Sequence, residues 1–476
     1  MNRPTHDLIV IGAGPAGMSA ALTAASLGMK TVLLDEQPHP GGQIYRNITQ
    51  VAPHVAALLG PDYRHGQPLA QRLARSGVEI RSGAMVWDVA RDLTVTAQKD
   101  GQSFQVQAPQ VIAATGAMER ATPIPGWTLP GVLNAGAAQI ALKSAGAVPA
   151  GRVVLAGAGP LLLLVGCQLL DAGVAIAGIV ETAPTANRWR ALRHLPAALG
   201  AAAYLAKGAR MLWRLRQAGV PMFSGATDLR VEGNGRAQAL AFTAGGAVHT
   251  LDAGVVLLHH GVVPNTQMGR LLRVQHDWDA VQLAWRPRLD AFGETTLAGF
   301  RIAGDGAGIA GALAAEPAGA LAALGAARAL NRLNDTELRQ RAAPMRRAVA
   351  RQERIRPFLD NLYRPPEWLA APGDETVICR CEEVTAGRIR EMAHLGCQGP
   401  NQTKFFSRCG MGPCQGRTCG LAVTQILAQE LGRPPGDVGA YHIRAPLKPV
   451  SLASLAALAD APAATTSTAI TTEESA

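Results

Sequence analysis

Short apolar runs and closely spaced glycines follow one another in a repeated order along this chain. Residues 7 to 11 contain four consecutive apolar side chains, Leu8 to Ile11. The run is too short for a helix and shows no polar alternation, which predicts a strand buried on both faces. The turn Gly12-Ala13-Gly14-Pro15-Ala16-Gly17 follows, then an alanine-rich helix to Leu27 stopped by Gly28. A second apolar strand, Thr31 to Leu34, ends at Asp35 and Glu36. Together these form a βαβ unit of about 30 residues. In such a unit the first glycine makes the tight turn, the second admits a pyrophosphate and the third lets helix and strand pack closely. The helix N-terminus offers unpaired N–H groups to the phosphates. Asp35 falls 23 residues after Gly12, where a carboxylate accepts hydrogen bonds from a ribose.

The pattern recurs at Val153. A strand leads into Gly157-Ala158-Gly159, a helix runs to about Ala172, and a strand from Ala175 to Val180 ends at Glu181. Leu162 stands where the third glycine would be, so the second turn reads either as a second nucleotide site or as a retained fold with no occupant. Two copies of one unit predict an α/β protein of nested Rossmann-like dinucleotide-binding domains. Residues 1–120 and 266–330 form the first, discontinuous domain, and 121–265 the inserted second. The crossings are the strand Val111–Ala114 with Thr115 and Gly116, and Val255–Asn265 on the return. His259 and His260 lie at that crossing and read first as a satisfied pair at a strand end. Arg120 reads as a phosphate or flavin contact, or as a partner of Glu119. No Ser-His-Asp or paired-carboxylate arrangement is discernible, so no catalytic residue is assigned.

Composition changes this picture in two places. The 476 residues carry a formal charge of +10, and 328–364 hold ten arginines against four acids, +6 of that total. Zinc-finger and RRM patterns do not accompany the patch, which argues against a nucleic-acid surface. The segment 331–375 reads as an Arg-rich connector, broken by Pro344, Pro357, Pro365 and Pro366, and equally as a solvated surface or a docking face. Six of the seven cysteines fall within the 41 residues from Cys379 to Cys419. Such clustering without a secretory h-region points to metal binding rather than disulfides, and to a cytoplasmic protein with no membrane span. Cys379-Arg380-Cys381, a gap of 32 residues and Cys414-x4-Cys419 suit an iron–sulfur cluster better than zinc, whose knuckles are Cys-x2-4-Cys. Zinc and free thiols remain the alternatives. Cys409 reads as a nearby thiol or a substitute ligand. A module over 376–445 and a flexible tail over 446–476 complete the chain.

Residues 1–330 resemble the two-dinucleotide-domain flavoproteins that include glutathione and thioredoxin reductases. The resemblance rests on the turns above, on Gly41-Gly42-Gln43 and on Ala303-Gly304-Asp305. It implies FAD in the first site. Cys167 is the one cysteine before Cys379, so the redox disulfide of those reductases is missing. Ile378 to Thr385 with Gly410 to Arg417 resembles the bacterioferritin-associated-ferredoxin (BFD-like) helical [2Fe–2S] domain, which implies Cys379, Cys381, Cys414 and Cys419 as ligands. The whole order, with the stretch Leu33 to Arg46, resembles the large (alpha-type) component of the opine oxidase, hydroxyproline dehydrogenase and hydrogen cyanide synthase group. That resemblance implies cofactor contacts at Glu36, Gln37, Gly42, Gln43, Arg46, Thr115 and Gly116. It implies electron transfer in a hetero-oligomer whose FAD-dependent amine oxidase-like beta subunit oxidises a secondary amine or amino acid. It is compatible with a small ferredoxin-like subunit, and with a membrane-associated acceptor. The second site is open to NAD(P), ATP or FMN at a boundary between subunits. The alternative function is a stand-alone NAD(P)H-dependent FAD/[2Fe–2S] reductase.

Overall fold

The structure, a computed structural model, describes residues 6–459. Two five-stranded parallel sheets form its frame. The first has the order Phe300–Ile302, Gln110–Ala113, Leu8–Ile11, Thr31–Asp35, Glu79–Ser82. The second has the order Met222–Phe223, Ile176–Glu181, Val153–Gly157, Val255–His259, Val132–Asn134. In both, the strand that opens the βαβ unit is central and buried throughout, which is why its sequence is an unbroken apolar run. Each sheet has a three-stranded antiparallel companion, Met85 to Gln107 in one half and Thr227 to Asp252 in the other. The second sheet is inserted before the last strand of the first. The two passages between them pair antiparallel, Ala117–Glu119 with Val262–Pro264.

Behind the first sheet the helix Pro15–Ser26 packs against Ala312–Ala329. Both are rich in alanine, and a Cβ at Gly319 would stand 1.9 Å from the Ala16 carbonyl oxygen. Small side chains therefore let the two helices, and their N-termini, approach the same point. On top lies Asp335–Glu353, begun by a capping box in which Asn334 accepts from the Thr336 and Glu337 N–H groups and Glu337 accepts from that of Asn334. This helix runs through Pro344 instead of breaking there. Burial of Leu338 and Ala342 against the alanine-rich helix offsets the one bond that proline removes. Pro357 sits in the first turn of Arg356–Leu362, where a missing N–H costs nothing.

The cysteine module contains the strand pair Val377–Cys379 and Val384–Thr385 and the helices Ala386–His394, Pro400–Ser407 and Gly420–Glu430. Its core is continuous with that of the first antiparallel sheet, Ile389 and Val423 belonging to one cluster with Val86 and Val95. Residues 446–459 are not a loose tail. The Leu447 N–H donates to the Trp87 carbonyl at 2.6 Å, Lys448 pairs with Glu36, and the helix Leu452–Ala459 lies on strand Gln102–Gln107. The rest of the expected tail, 460–476, lies outside the described residues. No described helix is long and apolar enough to cross a membrane.

Candidate cofactor cleft and cysteine centre

A single cavity of about 1340 Å³ contains both glycine turns. From the first half it is lined by Gly12, Gly14, Pro15, Ala16, Asp35, Glu36 and Gln37. Gly42, Gln43, Arg46, Thr115, Gly116, Gly304 and Asp305 continue the wall. Gly159 is reached from the second half. Gly17 and Gly157 are not on this wall. Their part is beneath it: a Cβ at Gly17 would lie 1.7 Å from the Gly12 carbonyl oxygen, and one at Gly157 1.8 Å from that of His259. They let backbone meet backbone beneath the cleft.

Asp35 holds the turn from below. Its carboxylate accepts from the Ala13 N–H and, at 2.7 Å, from that of Gln37. Burial raises its pKa, while those N–H groups, Arg46 and Lys448 oppose the rise. With Asp35 so engaged and Glu36 drawn to Lys448, two acids share the end of this strand. Asp305 holds the loop that leads into the opposite helix, accepting from Ala310 at 3.0 Å and Gly311 at 2.8 Å. Gly42 packs its backbone on Gly14, where a Cβ would come to 2.8 Å. Arg46 donates to Gln37 and Gln43, and its buried Nε has no protein partner. Unpaired donors, a helix N-terminus and a side-chain-free approach suit a dinucleotide phosphate.

The crossing differs from expectation in detail. Glu119 pairs with His259, Oε1 to Nδ1 at 2.6 Å, and its Oε2 accepts from the Gly136 N–H at 2.9 Å. Arg120 does not pair with Glu119. It donates to the carbonyls of His260, Leu283 and Gln282 at 3.1, 3.0 and 2.6 Å, tying the crossing to a loop of the first domain. His260 is the satisfied histidine, held between Thr122 at 3.0 Å and Thr182 at 2.8 Å. His259 lines the cavity, its Nε2 lying 3.1 Å from where a Cβ on Gly159 would be.

Three groups of lining residues carried no local signal. Lys143, on Ala135–Ala145, donates to the Gln43 carbonyl at 3.0 Å and to Gln139 at 2.8 Å. From the connector, Arg356, Phe358, Asp360 and Tyr363 join the wall, so this segment is partly cleft. Arg417 reaches the cavity from the cysteine module. Only the helical period of 135–145, which puts Gln139 and Lys143 four residues apart on one face, could have suggested the first of these.

Among the cysteines, Cys379, Cys409 and Cys419 are buried with sulfurs within 4.8 Å of one another. The Cys409 and Cys419 thiols and the Gly410 N–H, at 3.4 Å, converge on Cys379 and hold its thiol far below the usual range. Cys381, exposed, has Cys414 as its nearest thiol partner. The geometry therefore brings Cys409 beside Cys379 and Cys419, where the spacing alone had favoured Cys381 and Cys414. A buried trio with a second thiol pair next to it fits a thiolate-bound iron–sulfur centre. Cys397 is buried and Cys167 contacts the Met211 carbonyl at 3.7 Å, both apart from it.

A model of the pyridine nucleotide-disulphide oxidoreductase family matches residues 6–325, and the sarcosine oxidase A3 domain matches 374–459. The A-type component of opine oxidase from Agrobacterium tumefaciens is 47% identical over 95% of this chain and 92% of its own. The chain belongs to this opine oxidase family of FAD-dependent oxidoreductases. Hydrogen cyanide synthase subunit HcnB of Pseudomonas aeruginosa is 30% identical over 93% of this chain and 96% of its own. The fold is also that of L-proline dehydrogenase from P. horikoshii, with a TM-score of 0.71 at 18% identity over 94% of this chain and 79% of that one. Among the described residues the cleft wall contains no cysteine.

Proposed function

We propose that the chain is the electron-transferring flavoprotein and iron–sulfur subunit of a hetero-oligomeric dehydrogenase. A partner subunit oxidises a secondary amine or amino acid of the opine, hydroxyproline/proline or glycine type. The observation that carries this reading is the shared cavity, with the first glycine turn at one end and Arg417 of the cysteine module in its wall. Relatives named as subunits support it. FAD bound in such a cleft exchanges two electrons with an organic donor and single electrons with a cluster. This chain's residues would do the holding. The N–H groups at the start of Pro15–Ser26 and the Arg46 guanidinium meet the pyrophosphate, Asp35 and Glu36 fix the strand end at the ribose, and Asp305 shapes the loop at the other side. Cys379, Cys381, Cys414 and Cys419 remain the proposed [2Fe–2S] ligands, with Cys409 the thiol beside them.

The wall itself fits a conduit. Glu119 and His259 are spent on each other and on the Gly136 N–H. The second reading, an NAD(P)H-dependent reductase, is favoured by the Gly157–Gly159 turn opening into the same cavity. Dye reduction by the purified chain, alone and with a co-expressed partner, separates them. Turnover with opines or proline-type amines in the complex alone is expected; NADH-driven turnover by the isolated chain would overturn this assignment in favour of the reductase.

A further inference from the structure

Lys143 is 3% exposed, lines the cavity and meets only neutral partners, the Gln43 carbonyl and the Gln139 side chain. Gln139 in turn has no ionic partner: its amide donates to Gln168 at 2.8 Å. Among the described residues no carboxylate pairs with Lys143, and the charge acting on it is that of Arg46, also a cation. Burial with that repulsion lowers the ammonium to about 7. A buried cation without a counter-charge is costly, and a strongly perturbed group that lines a cleft points to a ligand that supplies the charge. Its place in the cleft says which part of the ligand. A dinucleotide with its ribose at the end of Thr31–Asp35 and its pyrophosphate at Pro15 extends its other half away from that strand. Gly42, Gln43, Thr115, Gly116 and the helix Ala135–Ala145 line the same cavity as that turn, and Lys143 is tied to this part of the wall through the Gln43 carbonyl.

We propose that Lys143 is a positioning charge for the flavin ring: it balances the negative charge the ring gains on taking up electrons and thereby raises its reduction potential. The inference rests on FAD occupying the first cleft. Two of the three ammonium protons are committed to Gln43 and Gln139, so the side chain is fixed and its charge acts at a set position. Charge near a flavin ring is one of the protein's means of tuning it.

The test uses the full-length chain purified with its flavin. Lys143→Met is expected to keep its FAD while the reduced form loses about tenfold in relative stability, a fall of about 30 mV for a two-electron couple. Affinity for sulfite, which adds to the oxidised ring and leaves it negative, should fall by a similar factor. Lys143→Arg should restore most of both. Gln139→Glu, which sets a carboxylate against an intact Lys143, should lower both readouts as well, and it covers the case in which Lys143→Met does not fold. Unchanged potential and sulfite affinity in flavin-replete variants would overturn the proposal. So would loss of FAD from a folded Lys143→Met, because the lysine would then be holding the cofactor and not tuning it. A wild-type chain that contains no flavin sinks the FAD reading itself, a result distinct from both.

Discussion

His260 sits at the crossing of the two sheets with each ring nitrogen facing a threonine hydroxyl. Burial, with repulsion from His259 and Arg120, pushes its pKa from 6.5 down to about 3. Between those values the unfolded chain binds a proton that the folded chain refuses, so stability is complete above about 6.5 and declines as the pH falls toward 3. Urea unfolding should show roughly 2 kcal/mol lost from this group between about pH 7 and 5. His260→Gln, less stable at neutral pH, should lose correspondingly less over the same interval; a parallel decline in both proteins would exclude His260 as the source. Cys409 offers a second test at this scale. Its position beside Cys379 and Cys419 makes it the thiol on which spacing and geometry disagree. With Cys379, Cys381, Cys414 and Cys419 as ligands, Cys409→Ser retains the cluster's visible absorbance and Cys381→Ser abolishes it. The opposite pair of outcomes assigns Cys409 as a ligand in place of Cys381.

At the scale of elements, the segment from Pro446 to Ala459 joins three parts of the chain. It bonds strand Met85–Val89 through Leu447, pairs Lys448 with Glu36 beside the first turn, and lays its helix on the companion sheet. Leu447 and Lys448 also line the cavity. Ending the chain after Arg444 should therefore lower the flavin-to-protein ratio and the melting temperature together. A truncated protein with full flavin and an unshifted melting curve would show that the segment only decorates the surface. The alanine, threonine and serine that dominate the chain from Ser451 onward made the whole of 446–476 look like an unstructured tail, because composition reports how much a segment can bury and not the surface waiting for it. Pro344 misled for the same reason. A proline's local cost of about 3 kcal/mol is a helix stop in isolation, but one apolar face buried against Ala312–Ala329 exceeds it.

For the whole molecule, charge is divided between cleft and surface. Arg356 belongs to the cleft wall, whereas Arg347 is exposed and Arg346 lies over the Phe292 ring at 4.8 Å. If the proposed partner docks on the outer face of the connector, Arg347→Glu should reduce co-purification several-fold while leaving the melting temperature unchanged, because an exposed arginine contributes little to folding. Equal recovery of the partner by both proteins would move the docking face elsewhere. Cleft, connector and cysteine module thus behave as one body: the module's core continues into the first antiparallel sheet, and Arg417 enters the cavity.

The local units were legible in sequence because their signals are local. Apolar runs at Leu8–Ile11 and Val153–Leu155, glycines at fixed intervals and paired cysteines each restrict a few adjacent residues, and both turns, the nested order of the sheets and the cysteine centre followed from them. Contacts between distant segments were not legible. Lys143 meets Gln43 across 100 positions, His259 meets Glu119 across 140 and Lys448 meets Glu36 across 412. Cys409 reaches Cys379 from a different element of its module. Nothing in the residues beside either partner specifies such a meeting. It is decided when two buried sheets and their helices stack, since that packing alone determines which polar groups lose water together and must satisfy one another.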